Sequence, residues 1–306
     1  MTQLIRNIEP TDIYRIKELL HIVFSDTEYR EIVRLGGMTN RSYKITRNNE
    51  LEYLVRIPGE GTEELINRMD ECKSTRLACK LGIDSELLYF GDDGTKVMKF
   101  IPNSQSMTNQ ILQRQDIIEQ AAGIFKKLHT CGENTGVRFE VFEMADLYEN
   151  IIQENHIPLY EDYSATKQTV MNIKSFNDSK EISPRVPCHN DTLTDNWILD
   201  DNRKLYLIDW EYSGMNEAMW DLSCLSIEAE FNDRHDDILL YTYFERHAKP
   251  IEQKRFAATK LYIDYLWTLW GLTRVPYDGD FMQNYANTRY HRLKQNIEKY
   301  FQNDYI

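Results

Sequence analysis

Apolar residues recur along "TDIYRIKELLHIVF" at Ile13, Ile16, Leu20, Val23 and Phe24, the interval of a helix, with Thr11 or Asp12 placed to cap it. The period then shortens. "EIVRL" (31–35), "RSYKIT" (41–46) and "LEYLVRI" (51–57) read as strands, joined by the Gly36-Gly37 turn and by the polar "RNNE". "TEELINRMDECKSTRLACKLG" returns to helical spacing and is closed by Gly82. "ELLYF" and "TKVMKFI" flank "GDDG", a hairpin turn. Pro102 and the polar "NSQSMTNQ" then mark a boundary or hinge. Beyond it helices dominate. "QDIIEQAAGIFKKLHT" puts Ile117, Ala121, Ile124, Phe125 and Leu128 on one face, and further helical stretches lie near 143–155, 163–176, 217–230, 233–247 and 252–271. The one strand signal in this half is the pair "NWILD" and "KLYLIDW" around "DNRK". The pattern predicts an α+β chain: a small antiparallel-sheet lobe over 1–101, with an extra N-terminal helix, and a helical lobe over 102–306 that carries one hairpin.

Composition narrows the function classes. The chain has 306 residues, 42% hydrophobic and 28% charged, an ordinary globular mixture. Its formal charge of −13, with no basic tract, argues against nucleic acid as a partner, because such binding needs clustered Lys and Arg. The five cysteines (Cys72, Cys79, Cys131, Cys188, Cys224) form no C-x-x-C pair and read as reduced thiols. "MTQLIRNIEP" lacks a basic-then-apolar signal pattern, and no apolar run reaches a membrane span of about 18 residues. A cytoplasmic protein without membrane insertion is expected.

The chemistry concentrates in "CHNDTLTDNWILDDNRKLYLIDWEYSG" (188–214). Asp191, Asn196 and Asp209 are poor strand residues, and Asp209 interrupts an otherwise apolar run. Phosphoryl transfer from a nucleotide needs such a set: one carboxylate to orient and deprotonate the attacking hydroxyl, and an amide and a carboxylate oxygen to hold Mg²⁺. The hairpin is expected to return Asp209 beside Asn196. His189 reads as a brace for the catalytic loop rather than a proton carrier.

"HNDTLTDN" followed by "IDWEYSG" resembles the catalytic loop and metal-binding segment of the choline/ethanolamine kinase family, related to the aminoglycoside phosphotransferases, and within it the bacterial choline kinases. The resemblance runs from Leu35 to about Tyr290. It implies the two-lobed protein-kinase-like fold, with ATP as donor, Mg²⁺ as cofactor and the nucleotide between the lobes. Asp191 is then the catalytic base, and Asn196 and Asp209 are metal ligands. "LGGMTNRSYKI" stands as the phosphate loop, where backbone N–H groups from Gly37 to Ser42 cradle phosphates and Thr39, Asn40 and Ser42 add side-chain donors. Arg56 takes the position of the phosphate-pairing Lys of protein kinases, where a guanidinium can span two oxygens. Glu71 matches its helix partner, and the backbone near Lys99 to Ile101 in "VMKFIP" matches the segment that reads adenine.

A quaternary ammonium has no N–H to donate and is held by aromatic faces and a carboxylate. "LYIDYLWTLWGL" sets Trp267 and Trp270 at i, i+3 on one helix face. Tyr212 follows Asp209 in "DWEY", and Tyr285 and Glu228 fall where the family keeps choline-site residues. The run after Glu228, "AEFND", departs from the dense aromatics of the eukaryotic enzymes. Choline is the expected acceptor. Ethanolamine, thiamine and an aminoglycoside stay open beside it, as does an inactive ligand-binding pseudokinase.

Overall fold

The computed structural model describes residues 4–5, 8–36, 40–59, 66–179 and 183–302. The chain divides into two compact units, Met1–Met107 with Asp195–Ser213, and Thr108–Thr194 with Gly214–Ile306. The boundary falls in the polar stretch after Pro102. This division groups the hairpin with the sheet unit, whereas the sequence pattern assigned it to 102–306. Leu207 N–H donates to the Ile83 carbonyl (3.2 Å), one of the bonds that tie the hairpin there.

The sheet unit is built on β1 (Leu4–Ile5), β2 (Glu31–Arg34), β3 (Arg41–Thr46), β4 (Glu52–Ile57), β5 (Leu87–Phe90) and β6 (Lys96–Lys99). The strand order is β1-β2-β3-β4-β6-β5, antiparallel except for the parallel β1–β2 pair at one edge. Helix α1 (Pro10–Phe24) lays Ile16, Leu19 and Leu20 on Ile32, Tyr43, Ile45 and Val55, the apolar core of this unit. Glu9, not Thr11 or Asp12, occupies the cap position, because Pro10 already opens the helix. Asp12 is instead buried, accepting from Arg41 Nε (2.8 Å) and from the Tyr43 hydroxyl. Helix α2 (Arg68–Lys80) starts at Asn67, whose side chain accepts from the Met69 and Asp70 N–H groups. A second sheet joins β7 (Gln105–Ser106), β9 (Trp197–Leu199) and β10 (Leu205–Leu207), with β9 entered from a 3₁₀ turn at Thr194–Asn196.

The helical unit comprises α3 (Asn109–Leu112), α4 (Gln115–His129), α5 (Val141–Glu154), α6 (Tyr163–Asp178), α7 (Met219–Glu228), α8 (Asp233–Phe244) and α9 (Pro250–Gln302). α9 packs against α5, α6 and α7, and α4 packs against α8. Two strands unseen in the sequence pattern, β8 (Arg185–Cys188) and β11 (Gly214–Glu217), pair antiparallel at the base of the loop that carries Asp191. "RVPC" and "GMNE" carry Pro, Gly and Asn, so neither advertises a strand. The helix expected over 252–271 extends to the break at Gly279, and a second helical segment follows it to Gln302. Gly279 has φ 56° and ψ −138°, a conformation that a Cβ would strain. No helix among the described residues is long and apolar enough to cross a membrane. All five cysteines are free thiols.

Candidate active site

In the helical unit, β8 delivers the chain into the loop that carries Asp191. Asn190 takes a left-handed backbone (φ 69°), tolerable for Asn, and turns Asp191 out of the strand line. The loop is fastened from below by Asp221 of α7, a wholly buried acid. Its carboxylate accepts the backbone N–H of His189 and of Asn190 (both 2.8 Å) and meets His129 Nε2 at 3.0 Å. The Trp220 indole donates to the Asn190 carbonyl (2.8 Å), and Asn216 Nδ2 donates to Asn190 Oδ1 (3.0 Å). His189 is buried, and its Nδ1 accepts the Asp191 N–H (3.2 Å). A backbone N–H can only donate, so Nδ1 carries no proton and the ring holds the loop.

Asp221→Asn turns one acceptor oxygen into a donor facing buried N–H groups. It should therefore lower stability by about 2–5 kcal/mol, since each unsatisfied buried donor costs about 1–3 kcal/mol. Urea unfolding measures this directly, and an unchanged midpoint would mean that the loop is held by other bonds.

The aromatic candidates form a row in the same unit. Trp267 and Trp270 are edge-to-face at 5.8 Å between centroids, and Trp270 and Tyr285 at 5.6 Å. Both indoles are nearly wholly buried, while Tyr285 is half-buried. Gly271 makes room for this packing, since a Cβ there would lie 2.8 Å from a Tyr285 ring carbon. Burial pushes the Tyr285 phenol up, with the Glu228 and Asp191 charges adding to it and Arg289 opposing. Burial and the Asp191 charge do the same to Tyr148 of α5. Glu228 is not an open carboxylate. Arg289 grips it with both ends of its fork (2.6 and 2.9 Å), and Arg292 adds a third bond at 3.1 Å. Burial alone would raise this acid, but the two guanidinium groups outweigh it and hold Glu228 below the usual carboxylate range.

The sheet unit holds a second cluster. Arg56 of β4, nearly without exposure, donates from Nη1 to Asp209 Oδ1 (2.7 Å) and from Nη2 to the Gly94 carbonyl (3.1 Å), and it pairs with Glu71 of α2. Arg68 binds Glu71 (2.7 Å) and Glu211 (3.3 Å), and Lys96 lies 3.5 Å from Glu71 and 3.9 Å from Asp209. Three cations thus balance Glu71, Asp209 and Glu211 within a buried region, where an unbalanced charge would be costly. Burial leads in raising Glu211, Asp209 adds to it, and Arg56 opposes. Burial also pushes buried Asp84 up to about 6, against the pull of Lys96. Asp209 itself has φ 65° and a side chain 30% exposed, against 0% for Glu71 and 7% for Glu211.

The hairpin brings Asn196 to this cluster, because the Ile208 N–H donates to the Asn196 carbonyl (2.9 Å) immediately before Asp209. Carboxylate oxygens of Glu71, Asp209 and Glu211 lie within 4.8 Å of one another. Hard oxygen donors at this spacing, with an adjacent amide, fit a hard divalent cation.

Asn40 donates from Nδ2 to Glu211 (3.0 Å), and Ser42 sits opposite Arg56 in the β3–β4 register. Gly37 and Thr39 lie outside the described residues. Lys99 ends β6 with its ammonium on Glu86 (2.5 Å), and Ile101 is buried just beyond. Tyr212 belongs to the sheet unit. The sequence pattern did not single out Asp221, Lys96, Arg68, Glu211, Arg289 or Arg292. Asp221 had a signal, a charge inside the otherwise apolar "MWDLSCLSI". Glu211 had only its place in "DWE", two residues past Asp209.

With this geometry the chain can be set beside known proteins. Residues 32–266 match the family model described as choline/ethanolamine kinase. The choline kinase LicA from Streptococcus pneumoniae is 30% identical and superposes with a TM-score of 0.84, over 94% of this chain and 99% of that one. A choline/ethanolamine kinase family protein from Mesorhizobium loti is 33% identical, with a TM-score of 0.82 over 94% and 95%. Protein LicA of Haemophilus influenzae is 27% identical over 276 residues, which is 88% of this chain and 80% of that protein. The chain belongs to the choline/ethanolamine kinase family.

Proposed function

We propose that this kinase transfers the γ-phosphoryl group of ATP to the hydroxyl of choline. Membership of the family makes the chain a phosphotransferase with an alcohol acceptor. The observation that carries the choice of acceptor is the row Trp267–Trp270–Tyr285, which is packed edge to face and whose Tyr285 end feels the Asp191 charge. Aromatic walls suit a cation that has methyl groups in place of N–H donors.

In this reading Asp191 orients the choline hydroxyl and takes its proton as oxygen attacks phosphorus and ADP leaves. Arg56, held by Glu71, contacts the phosphates, with Asn40 and Ser42 contributing donors. The backbone near Lys99 and Ile101 reads adenine. Asn196 and Asp209 would hold Mg²⁺, which neutralises phosphate charge when bound.

The test is an ADP-release assay across choline, ethanolamine, thiamine and kanamycin, in which choline is expected to give the highest kcat/KM. Trp270→Ala should then raise the choline KM by roughly 30-fold at unchanged ATP KM, since a desolvated cation–π contact contributes about 2 kcal/mol. A variant that loses ATP and choline use equally, or unfolds, would make Trp270 a core residue only.

A further inference from the structure

Glu228 lies among the acceptor residues, yet its charge is already answered. Arg289 Nη1 and Nη2 bond its two oxygens, and Arg292 Nη2 takes a third position on Oε1. A carboxylate offers about four acceptor positions, so roughly one is left. Arg289 is itself buried, and its guanidinium carbon sits 4.5 Å above the centre of the Tyr285 ring. A built-in cation therefore lies against one of the aromatic residues of the acceptor wall. The arrangement is locked from behind. Arg292 also donates to both oxygens of Asp264 (2.9 and 2.6 Å), and Arg289 comes within 3.5 Å of the same acid, which is wholly buried.

We propose that Arg289 is a specificity-determining residue, which by occupying Glu228 and one side of Tyr285 denies a primary ammonium the acceptors it needs and so favours the quaternary one. This rests on the choline reading above. A primary ammonium brings three N–H donors out of water and loses binding wherever they find no partner. A trimethylammonium has none to satisfy and needs only apolar and aromatic contact. With most of Glu228 taken up, the site meets the second demand far better than the first.

The experiment measures kcat/KM for choline and ethanolamine in wild type, Arg289→Gln, Arg289→Lys and the double variant Glu228→Gln/Arg289→Gln. Arg289→Gln frees two of the three occupied positions on the carboxylate, leaving the Arg292 bond, and the choline-to-ethanolamine ratio is expected to fall by at least about tenfold, the value of a hydrogen bond to a charged group. Arg289→Lys replaces the fork by a single point of contact, keeps the charge, and should shift the ratio in the same direction by less. It carries the test if the Gln variant fails to fold. The double variant should return the ratio toward wild type, because no carboxylate remains to receive the ammonium. An unchanged ratio in the folded Arg289 variants, with both substrates weakened alike, would show that Arg289 only supports the fold and would overturn the proposal. So would a double variant whose ratio falls as far as that of Arg289→Gln. A wild-type enzyme preferring ethanolamine would instead sink the choline reading, a result legible before any variant is made.

Discussion

Asp191→Asn is expected to lower kcat by about 10²–10⁴, the usual range for a general base, while the ATP KM and the melting temperature stay near wild type. The change keeps the side-chain shape and removes only the capacity to take a proton. Loop geometry should survive it. The bonds that hold the loop run from the backbone of His189 and Asn190 to Asp221, and from the Asp191 backbone N–H to His189, so none of these depends on the Asp191 carboxylate. Steady-state kinetics with both substrates varied, beside a thermal melt, separate the two effects. A variant keeping more than a tenth of wild-type kcat would remove Asp191 from proton transfer.

Asp209→Ala should leave no measurable turnover. The residue is the most exposed acid of its cluster, and it is the one the hairpin sets beside Asn196. In the proposed Mg²⁺ site its loss would remove an oxygen ligand from an ion with few protein ligands. It also removes the acceptor that fixes Arg56 Nη1. Arg56 and Lys96 both keep Glu71 as a partner, so folding should persist. Asn196→Ala, which takes a neutral ligand, should retain activity but require more Mg²⁺. Rate measured against Mg²⁺ concentration checks both, and an unchanged dependence in the pair would place the metal elsewhere.

The local elements were legible because their signals are local. The β3 and β4 strands, the helical face of α4 and the close of α2 at Gly82 follow from periodicity and turn chemistry within a few residues. The Asn196–Asp209 juxtaposition was legible for the same reason, since a short hairpin can only fold its two ends together. What escaped depends on distant partners. β8 and β11 exist because "RVPC" and "GMNE" find each other across the catalytic loop, and neither segment has strand propensity of its own. The Glu228–Arg289 pair spans 61 positions, and a helix acid at position 228 looks equally open whether or not an arginine waits there. Lys96 reads as an ordinary strand lysine until the β4–β6 register sets it opposite Arg56. The helical segment after Gly279 escaped the pattern, but "RVPYDGD", with Pro276 and Gly279, does signal the break where the chain changes course into it.

That change of course shapes how the enzyme is divided along its sequence. Trp267 and Trp270 precede Gly279, and Tyr285, Arg289 and Arg292 follow it, so one stretch of chain supplies most of the side chains proposed for the acceptor wall. The donor cluster is the reverse, gathered from Asn40, Arg56, Arg68 and Glu71, Lys96, Asn196, Asp209 and Glu211. Residues 264–292 are thus a cassette. If the proposed roles hold, this stretch could drift toward a new alcohol without touching the dispersed residues of the sheet-unit cluster. Glu228, on a separate helix, would have to change in step with them, as would the partners of Tyr265 and Tyr290, among them Glu149, Asp162 and Thr166.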